Sequence, residues 1–418
     1  MNNLSRLKDR KFLFVGPFPP PYGGVSSHLS ELAKSFNSSD IDFNVLHFST
    51  KSVPAAIIDG AKVYRKKNKV TWGLMPCLLR NPMNFFMTVL LLARNFTKDM
   101  RLYPSSFLQA LHIATLTDKL NTEGVIIYTT RAGAVIPFLK CLRPNLRIFY
   151  CIFADPYKAP KFYELHHSWF RKAMLASDRV FSSSMYCANA SKIFVESIEP
   201  LAIYVGVNTN RFHNVRDVSE ISEVRKSLKL PDRPTVLFVG RMEPEMGAEN
   251  ALLAAKKLVS LVDDITFIIA GARGSLTEQI IKEAKQSDGK IICRVDIPGE
   301  KLPSYYAAST IVVAPTVGTH ACMGVSIKEA MASGRPSVVS NSGGIPEAIR
   351  DEVDGLIVPL AADGQINNEA FTAAIKRLVM EPELCNKFGG NARQRAEDLF
   401  STDATASKYV DLLCYKVG

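Results

Sequence analysis

The sequence of 418 residues lacks the patterns of several specialised classes. Its eight cysteines include no CxxC pair and no cluster with histidine at ligand spacing, so we expect neither a disulfide framework nor a structural zinc site. No apolar run approaches the ~20 residues of a spanning helix. The run after the charged N-terminus is only long enough for a strand, which predicts no signal peptide. These absences favour a globular protein of a reducing compartment, the cytoplasm.

Acidic residues are scarce in the first half. Residues 1–216 carry 13 Asp and Glu against 28 Lys and Arg, whereas residues 217–418 carry 27 against 23. This imbalance indicates an anionic partner for the first half. We expect no role in nucleic-acid binding, because no recognition motif accompanies the basic residues, and we favour an anionic membrane surface.

One apolar segment, residues 83–93, lies within the basic half. It is typical either of a helix lying in the membrane interface or of a core helix with solvated ends. The basic excess around the segment favours the membrane interface. The residues that support this interpretation are Arg65, Lys66, Lys67, Lys69, Trp72, Arg80, Arg94, Lys98 and Arg101.

Short apolar stretches of strand length alternate with helical patterns along nearly the whole chain. Such alternation predicts parallel sheets covered by helices on both faces, and a polar interruption at residues 208–234 predicts two of them. The predicted fold is α/β, with two doubly wound Rossmann-like domains, 1–215 and 216–401, facing a central cleft. The predicted strands are 11–16, 124–129, 147–152, 179–182, 235–239, 266–270, 290–293, 311–314 and 337–339.

The first candidate site is the loop after the first predicted strand. Ligands of open parallel sheets bind at the carboxyl ends of the strands. Here a proline-rich loop ends in Gly23 and Gly24, and a helix is predicted from about 25 to 36. Glycines before a helix N-terminus form either an anion site or an ordinary tight turn.

The second candidate is Arg241, in the loop that follows the strand 235–239. A guanidinium at a strand's carboxyl end can neutralise a departing diphosphate. The alternative is a surface salt bridge to Glu243 or Glu245, and position alone leaves both interpretations open.

The third candidate is the start of the helix predicted over 326–332. The backbone amides of Gly324, Val325 and Ser326 are free to bind phosphate there. Glu329 lies one turn further on, where its carboxylate can accept two hydrogen bonds from a ribose diol.

Several long motifs, in order and over nearly the whole chain, resemble the retaining glycosyltransferases of family 4, which have the two-domain GT-B fold. The motifs are P-x-x-G-G-x-x-x-H ending at His28, I-Y-V-G-V-N at 203–208 with Phe212, F-V-G-R ending at Arg241, M-G-x-x-x-x-E-A-M-A-S-G-x-P at 323–336, and G-G-I-P-E at 343–347.

The resemblance implies a nucleotide-sugar donor, a UDP- or GDP-sugar, held mainly by the C-terminal domain without a metal or a bound cofactor. Glu329 would hold the ribose, and Arg241 with the amides of residues 324–326 the diphosphate. The Gly23–Gly24 loop would approach the phosphates from the other domain. The base would lie against the backbone near Val295 and Ile297. The C-terminal helix, 402–418, is expected to pack on the first domain, as it often does in this fold.

Three departures from the family pattern remove polar groups. Ala321 replaces a glutamate that usually binds the donor sugar, Met246 replaces a lysine before Gly247, and Phe153 stands where a histidine is common. The losses indicate compensation by other residues, an unusual donor or weak catalysis. The candidates for compensation are His320, Arg131 and Asp155, with a turn role for His320 and a structural salt bridge for Arg131 as alternatives.

These features favour a retaining, metal-independent glycosyltransferase at the inner face of the bacterial membrane. It would transfer a hexose or similar sugar to a lipid-linked or polysaccharide acceptor in envelope glycan assembly, with His28 and His320 on the acceptor side. A catalytically silent GT-B subunit that regulates a partner enzyme is the alternative, and a sugar-nucleotide epimerase is a weaker third.

Overall fold

The computed structural model describes residues 6–19, 24–71, 74, 80–199, 201–215, 217–318 and 322–415. The chain divides into two compact units. Unit 1 comprises residues 1–204 and 405–418, and unit 2 comprises residues 205–404. The division therefore falls at residue 205, whereas the sequence analysis placed the boundary after residue 215.

Unit 1 contains a seven-stranded sheet in the order β3-β4-β2-β1-β5-β6-β7. All neighbouring strands are parallel except the edge pair β3 and β4, which is antiparallel. The strands are β1 (Phe12–Val15), β2 (Asn44–Phe48), β3 (Val53–Ile58), β4 (Ala61–Lys66), β5 (Gly124–Tyr128), β6 (Arg147–Ile152) and β7 (Arg179–Ser182).

Helices cover both faces of this sheet because successive strand residues point to opposite sides. Val125 and Ile127 join one buried cluster, while Ile126 and Tyr128 join the other. The described helices of the first 204 residues are α1 (Gly24–Asn37), α2 (Pro82–Asn95), α3 (Leu102–Leu120), α4 (Ile136–Leu142), α5 (Asp155–Lys158), α6 (Pro160–Leu165), α7 (His167–Leu175) and α8 (Met185–Asn189).

Unit 2 contains a six-stranded, wholly parallel sheet in the order β10-β9-β8-β11-β12-β13. Its strands are β8 (Thr235–Val239), β9 (Thr266–Gly271), β10 (Ile291–Val295), β11 (Ile311–Ala314), β12 (Ser337–Ser340) and β13 (Gly355–Val358). The described helices are α9 (Val218–Ser227), α10 (Ala248–Leu261), α11 (Thr277–Lys285), α12 (Leu302–Ala308), α13 (Val325–Ala332), α14 (Asn368–Met380) and α15 (Pro382–Leu399).

The last described helix, α16 (Thr402–Cys414), returns to unit 1. Ala406, Tyr409, Val410 and Leu413 are buried in the same cluster as the β1 and β5 side chains. The end of the chain is thus part of the core of the first unit.

The predicted fold class is confirmed: both units are α/β, each built on a largely parallel sheet. The nine predicted strands correspond to β1 and β5–β12, because each contains a short apolar run, and all but the edge strand β10 are largely buried. Within the described parts of the chain, none of the helices has the length and apolar character needed to traverse a bilayer.

Candidate active site

The site in unit 2 is built at one edge of its sheet. Because all six strands are parallel, the loops that follow their carboxyl ends emerge on the same side. The loops after β8, β10, β11 and β12 carry the predicted donor-binding residues and the glycine turn at Gly343. The fold therefore gathers at one edge residues that lie up to about a hundred positions apart.

The loop after β8 carries Arg241 on a fixed backbone. Gly271 has φ +145°, and a Cβ there would lie 1.8 Å from the carbonyl oxygen of Gly240. Gly247 has φ +83°, and its Cβ would lie 2.3 Å from the Pro315 oxygen. Only glycine permits these approaches, so the Arg241 loop is held against the loops after β9 and β11.

Arg241 itself is exposed, and no hydrogen-bond or ion-pair partner for its guanidinium lies among the described residues. The salt bridge to Glu243 is replaced by another contact: Ser275 donates its hydroxyl to the Glu243 carboxylate. This hydrogen bond, with a smaller contribution from the Arg241 charge, lowers the pKa of Glu243. The Arg241 cation is thus available to an anionic ligand.

Glu329 is half-buried in the second turn of α13. Tyr306 on α12 donates its hydroxyl to Oε2 of Glu329 at 2.8 Å, while Oε1 has no hydrogen-bond partner within the described chain. Burial raises the pKa of the Glu329 carboxyl, and the Tyr306 hydrogen bond and the charges of Arg211 and Lys328 oppose that rise. One oriented oxygen remains free to accept hydrogen bonds from a ligand diol.

The N-terminus of α13 lies one turn before Glu329. Gly324 precedes the helix with φ +68° and no side-chain cap, and the first turn carries no acidic residue. Because Gly324 has no side chain to accept from the first-turn amides, no N-cap side chain covers the amides of Val325 and Ser326. Uncapped amides carry the positive end of the helix dipole, a feature that suits a phosphate.

Lys328 is a buried cation beside this site that the sequence analysis missed. It is 1% exposed, and its Nζ donates to the carbonyl oxygen of Val205 at 2.7 Å. Burial lowers the pKa of Lys328 to about 7, and the Glu329 charge opposes that shift. The only sequence signal was a lysine within the apolar helix pattern of α13.

Arg211 and Tyr306 were also missed. Arg211 lies over the ring of Phe212 at 5.1 Å, donates to the Gly299 oxygen at 2.5 Å, and its charge acts on Glu329. Tyr306 is buried, which raises the pKa of its hydroxyl well above the usual range and keeps it a donor. Neither belongs to a motif near Glu329, so only the folded structure shows them.

The predicted base-binding residues, Val295 and Ile297, flank a strained position at the end of β10. Asp296 has φ +52°, and its amide donates to the Gly271 oxygen at 2.8 Å. Val295 and Ile297 are both half-buried. This backbone segment is therefore fixed next to the loop that holds Arg241.

In unit 1, Arg131 and Asp155 follow the carboxyl ends of the neighbouring strands β5 and β6. Arg131 is exposed, with its Cζ 4.8 Å from the centre of the Phe162 ring. Asp155 is half-buried, and its charge contributes to raising the pKa of Tyr163, where burial is the main cause. The structural salt bridge considered for Arg131 is not formed with any described residue.

His28 takes a packing position in α1. It is 6% exposed, and its Nε2 lies 3.1 Å from the hydroxyl of Tyr409 on α16. The rings of Tyr128 and Tyr409 lie within 6.3 Å of the imidazole. The structure therefore places this histidine in the core of unit 1, and a surface acceptor role would require it to be uncovered.

Some predicted features lie outside the described residues. They are Gly23 of the first glycine loop, the membrane-anchor residue Trp72, and the pair His320 and Ala321. Gly24 is described and begins α1.

The whole chain has the two-domain GT-B fold. It aligns with sucrose-phosphate synthase of Thermosynechococcus elongatus at a TM-score of 0.73 and 18% identity, over 97% of this chain and 98% of that one. HepE of Anabaena in complex with UDP aligns at a TM-score of 0.70 and 16% identity, over 96% and 99%. At these identities the likeness establishes the fold alone.

Residues 220–395, which lie within unit 2, match the model of the family described as glycosyl transferases group 1. A GDP-mannose-dependent phosphatidylinositol monomannoside mannosyltransferase of Mycobacterium tuberculosis is 28% identical over 217 residues, 50% of this chain and 54% of the relative. The α-D-kanosaminyltransferase of Streptomyces kanamyceticus is 30% identical over 207 residues, 48% and 50%. The chain thus matches about half the length of these curated relatives.

Proposed function

We propose that the protein is a retaining, metal-independent glycosyltransferase that moves a hexose or similar sugar from a UDP- or GDP-sugar to a lipid-linked or polysaccharide acceptor. The observation that carries the proposal is the arrangement in unit 2 of Glu329, oriented by Tyr306 with one oxygen free, beside the uncapped N-terminus of α13. A ribose diol and a diphosphate fit these two features.

In this proposal each donor part has a distinct partner. The free oxygen of Glu329 accepts hydrogen bonds from the ribose hydroxyls. The Arg241 guanidinium and the amides of residues 324–326 bind the diphosphate, and the base lies on the backbone of Val295 and Ile297. The named relatives support this donor class, since one is described with UDP and another as GDP-mannose-dependent.

The proposed chemistry is a front-face displacement. The acceptor hydroxyl oxygen bonds to the anomeric carbon on the face from which the diphosphate leaves, and the bond from that carbon to the phosphate oxygen breaks. The hydroxyl proton passes to the departing phosphate, so no enzymic nucleophile is needed. Arg241 and the helix amides stabilise the charge that develops on the diphosphate, which is the contribution a metal would otherwise make.

Arg131 and Asp155 are proposed as catalytic groups that compensate for the polar residues missing from the family pattern. Both sit at strand ends of unit 1, where ligands of parallel sheets bind. The exposed Arg131 offers a cation, and Asp155 an acceptor of hydrogen bonds. The proposed location is the anionic inner face of a bacterial membrane, with envelope glycans as the product class, and the basic residues of the first half support it.

A catalytically silent subunit remains the second candidate, and Met246 is the observation that favours it. Its side chain is 37% exposed in the Arg241 loop, at the position where the family usually has lysine. A GT-B subunit without that ammonium could bind a nucleotide sugar without transferring it.

One assay separates these functions. The purified protein is incubated with a panel of nucleotide sugars, with and without a membrane extract, and released nucleotide is measured. We expect release that depends on the extract. Binding without release would favour the silent subunit, and the absence of any binding by calorimetry would rule out the transferase.

A further inference from the structure

The outward face of α2 is apolar although it lies at the protein surface. Met83, Phe86, Met87 and Leu90 are 67%, 56%, 49% and 46% exposed. Their spacing of three, four and seven residues places them on one side of the helix. We call these four residues the α2 apolar face.

The opposite side of the same helix is also apolar. Phe85, Leu91 and Leu92 pack against the core of unit 1, with the Phe85 ring 6.4 Å from that of Phe107 on α3. The buried Thr88 and Asn95 donate to carbonyl oxygens of their own helix. The α2 apolar face is therefore not needed for the core, and exposed apolar patches of this kind mark binding surfaces.

The sequence segment that contains this face carries charge of one sign, although Arg80, just before α2, pairs with Asp118 of α3. Residues 60–98 contain eight Lys and Arg and no Asp or Glu. Arg94 and Lys98 are exposed at the C-terminal end of α2. Two copies of this face would bring like charges together, whereas an anionic surface would complement them.

The basic segment 66–69 lies against the same helix as α2. Asn68 donates to the Ser105 hydroxyl at 2.9 Å, and His112 Nε2 lies 3.0 Å from the Lys69 oxygen. Ser105 and His112 lie on the side of α3 opposite Phe107, the residue that contacts α2. The basic segment and α2 therefore pack on opposite sides of α3, and Arg94 and Lys98 are the exposed cations carried next to the α2 apolar face.

We propose that the α2 apolar face inserts into the boundary between headgroups and acyl chains of an anionic bilayer, with Arg94 and Lys98 at headgroup level. A helix of this type lies in the plane of the membrane at a depth of about 5–10 Å. The inference rests on the membrane location in the proposed function and is independent of the transfer chemistry. Arg65 is left out, because it is half-buried and donates to the Phe18 oxygen.

The test is co-flotation of the full-length protein with vesicles of phosphatidylcholine and phosphatidylglycerol at 7:3. The double variant Phe86→Ser, Met87→Ser should bind vesicles at least about tenfold more weakly, because two apolar side chains that would be buried in the bilayer are lost. Arg94→Gln with Lys98→Gln should weaken binding about 25-fold, at roughly fivefold per headgroup-level cation. Vesicles of phosphatidylcholine alone should bind the wild type poorly.

Matched controls come from unit 2. Leu253 and Leu261 on α10 are 46% and 50% exposed, and Lys282 and Lys285 on α11 are exposed cations. Serine and glutamine substitutions at these pairs should leave vesicle binding unchanged. Equal losses in the control variants would show a non-specific effect and overturn the assignment.

Insertion is measured separately by fluorescence. Phe86→Trp should gain blue-shifted emission that brominated lipids quench, whereas Leu253→Trp should not. Three results overturn the proposal: unchanged vesicle binding of the Phe86 and Met87 variant, loss through the charge variant alone, or a dimer that the serine substitutions disrupt. Calorimetry with UDP and GDP is the readout for the transferase: vesicle binding with no nucleotide binding would reject the proposed function and keep this inference.

Discussion

Units 1 and 2 carry their charge in different ways. At the strand ends of unit 2, a few charged groups are individually positioned: Glu329 by Tyr306, Arg241 by two glycine contacts, and Lys328 by the Val205 oxygen. Residues 1–216 instead carry a broad basic excess of 28 against 13, with eight of the Lys and Arg in residues 60–98, the segment that includes α2. Individually positioned side chains are typical of a site that binds a small ligand of defined shape, whereas distributed charge is typical of binding to an extended surface. A single substitution at one of these positions in unit 2 should therefore have a large effect on ligand binding, whereas a single charge change in the basic first half should have a small effect.

The largest expected effect is that of Glu329→Ala on nucleoside-diphosphate binding. Loss of two charge-assisted hydrogen bonds should cost about 3 kcal/mol or more, at least about 100-fold in affinity. Titration calorimetry with the ribonucleotide and its 2′-deoxy analogue measures it. The wild type should prefer the ribonucleotide, and the variant should not.

Two controls accompany that measurement. Glu249→Ala removes an exposed carboxylate at the start of α10 and should leave affinity unchanged. Tyr306→Phe keeps the Glu329 carboxylate and should cost less than about tenfold. A Glu329 variant that binds as well as the wild type would contradict the ribose assignment.

The second effect concerns pH and Lys328. Because burial lowers its pKa from 10.5 to about 7, the unfolded chain binds more protons than the folded one between these values, and the free energy of unfolding rises with pH there. Lys328→Met removes this dependence. Its stability relative to the wild type should fall by about 2–3 kcal/mol between pH 7 and 9.

Urea denaturation at pH 7 and pH 9 measures this difference. Lys282→Met, at an exposed position on α11, is the matched control and should keep the wild-type pH dependence. If Lys328→Met and the wild type showed the same change with pH, the lysine would not be neutralised by burial.

The third effect is that of Arg241→Gln. Removing the free guanidinium should weaken binding of a nucleoside diphosphate by about 2 kcal/mol, roughly 30-fold, with much less effect on the nucleoside. Calorimetry with both ligands gives the comparison. Arg377→Gln is the control, since that arginine pairs with Glu352 away from the site. Equal losses for nucleoside and diphosphate would remove Arg241 from the phosphate site.

The smallest effect, and the one that separates the two candidate functions, is that of Met246→Lys. Restoring an ammonium in the Arg241 loop should strengthen diphosphate binding by about 1 kcal/mol, roughly fivefold. A gain in binding with nucleotide release in both proteins would support an active enzyme with a compensated loop. Release only in the variant would identify the natural protein as the silent subunit.

Sequence reasoning succeeded where the physical cause is local. Each of the nine predicted strands contains a short apolar run, and the helix predicted over 326–332 begins one residue after the start of α13 and ends with it. β2, β3, β4 and β13 were missed. The edge strand β3 has exposed residues almost throughout, so it carries no burial pattern, and the four residues of β13 follow a turn-rich segment.

The residues of the candidate site also fall into those that the sequence predicts and those that only the folded structure shows. Arg241 and Glu329 lie in long motifs, so their sequence positions were sufficient to select them. Tyr306, Arg211 and Lys328 act on Glu329 from other elements or from inside the helix, and these contacts exist only after folding. His28 is a motif histidine whose burial against Tyr409 could not be read from the sequence, and its acceptor-side role stays a prediction.

The most direct test of the central claim is a crystal structure of the protein with a bound nucleoside diphosphate, UDP or GDP. The account predicts ribose hydroxyls on the free oxygen of Glu329 and the diphosphate between Arg241 and the amides of residues 324–326. A nucleotide bound elsewhere, or one whose ribose does not contact Glu329, would contradict it.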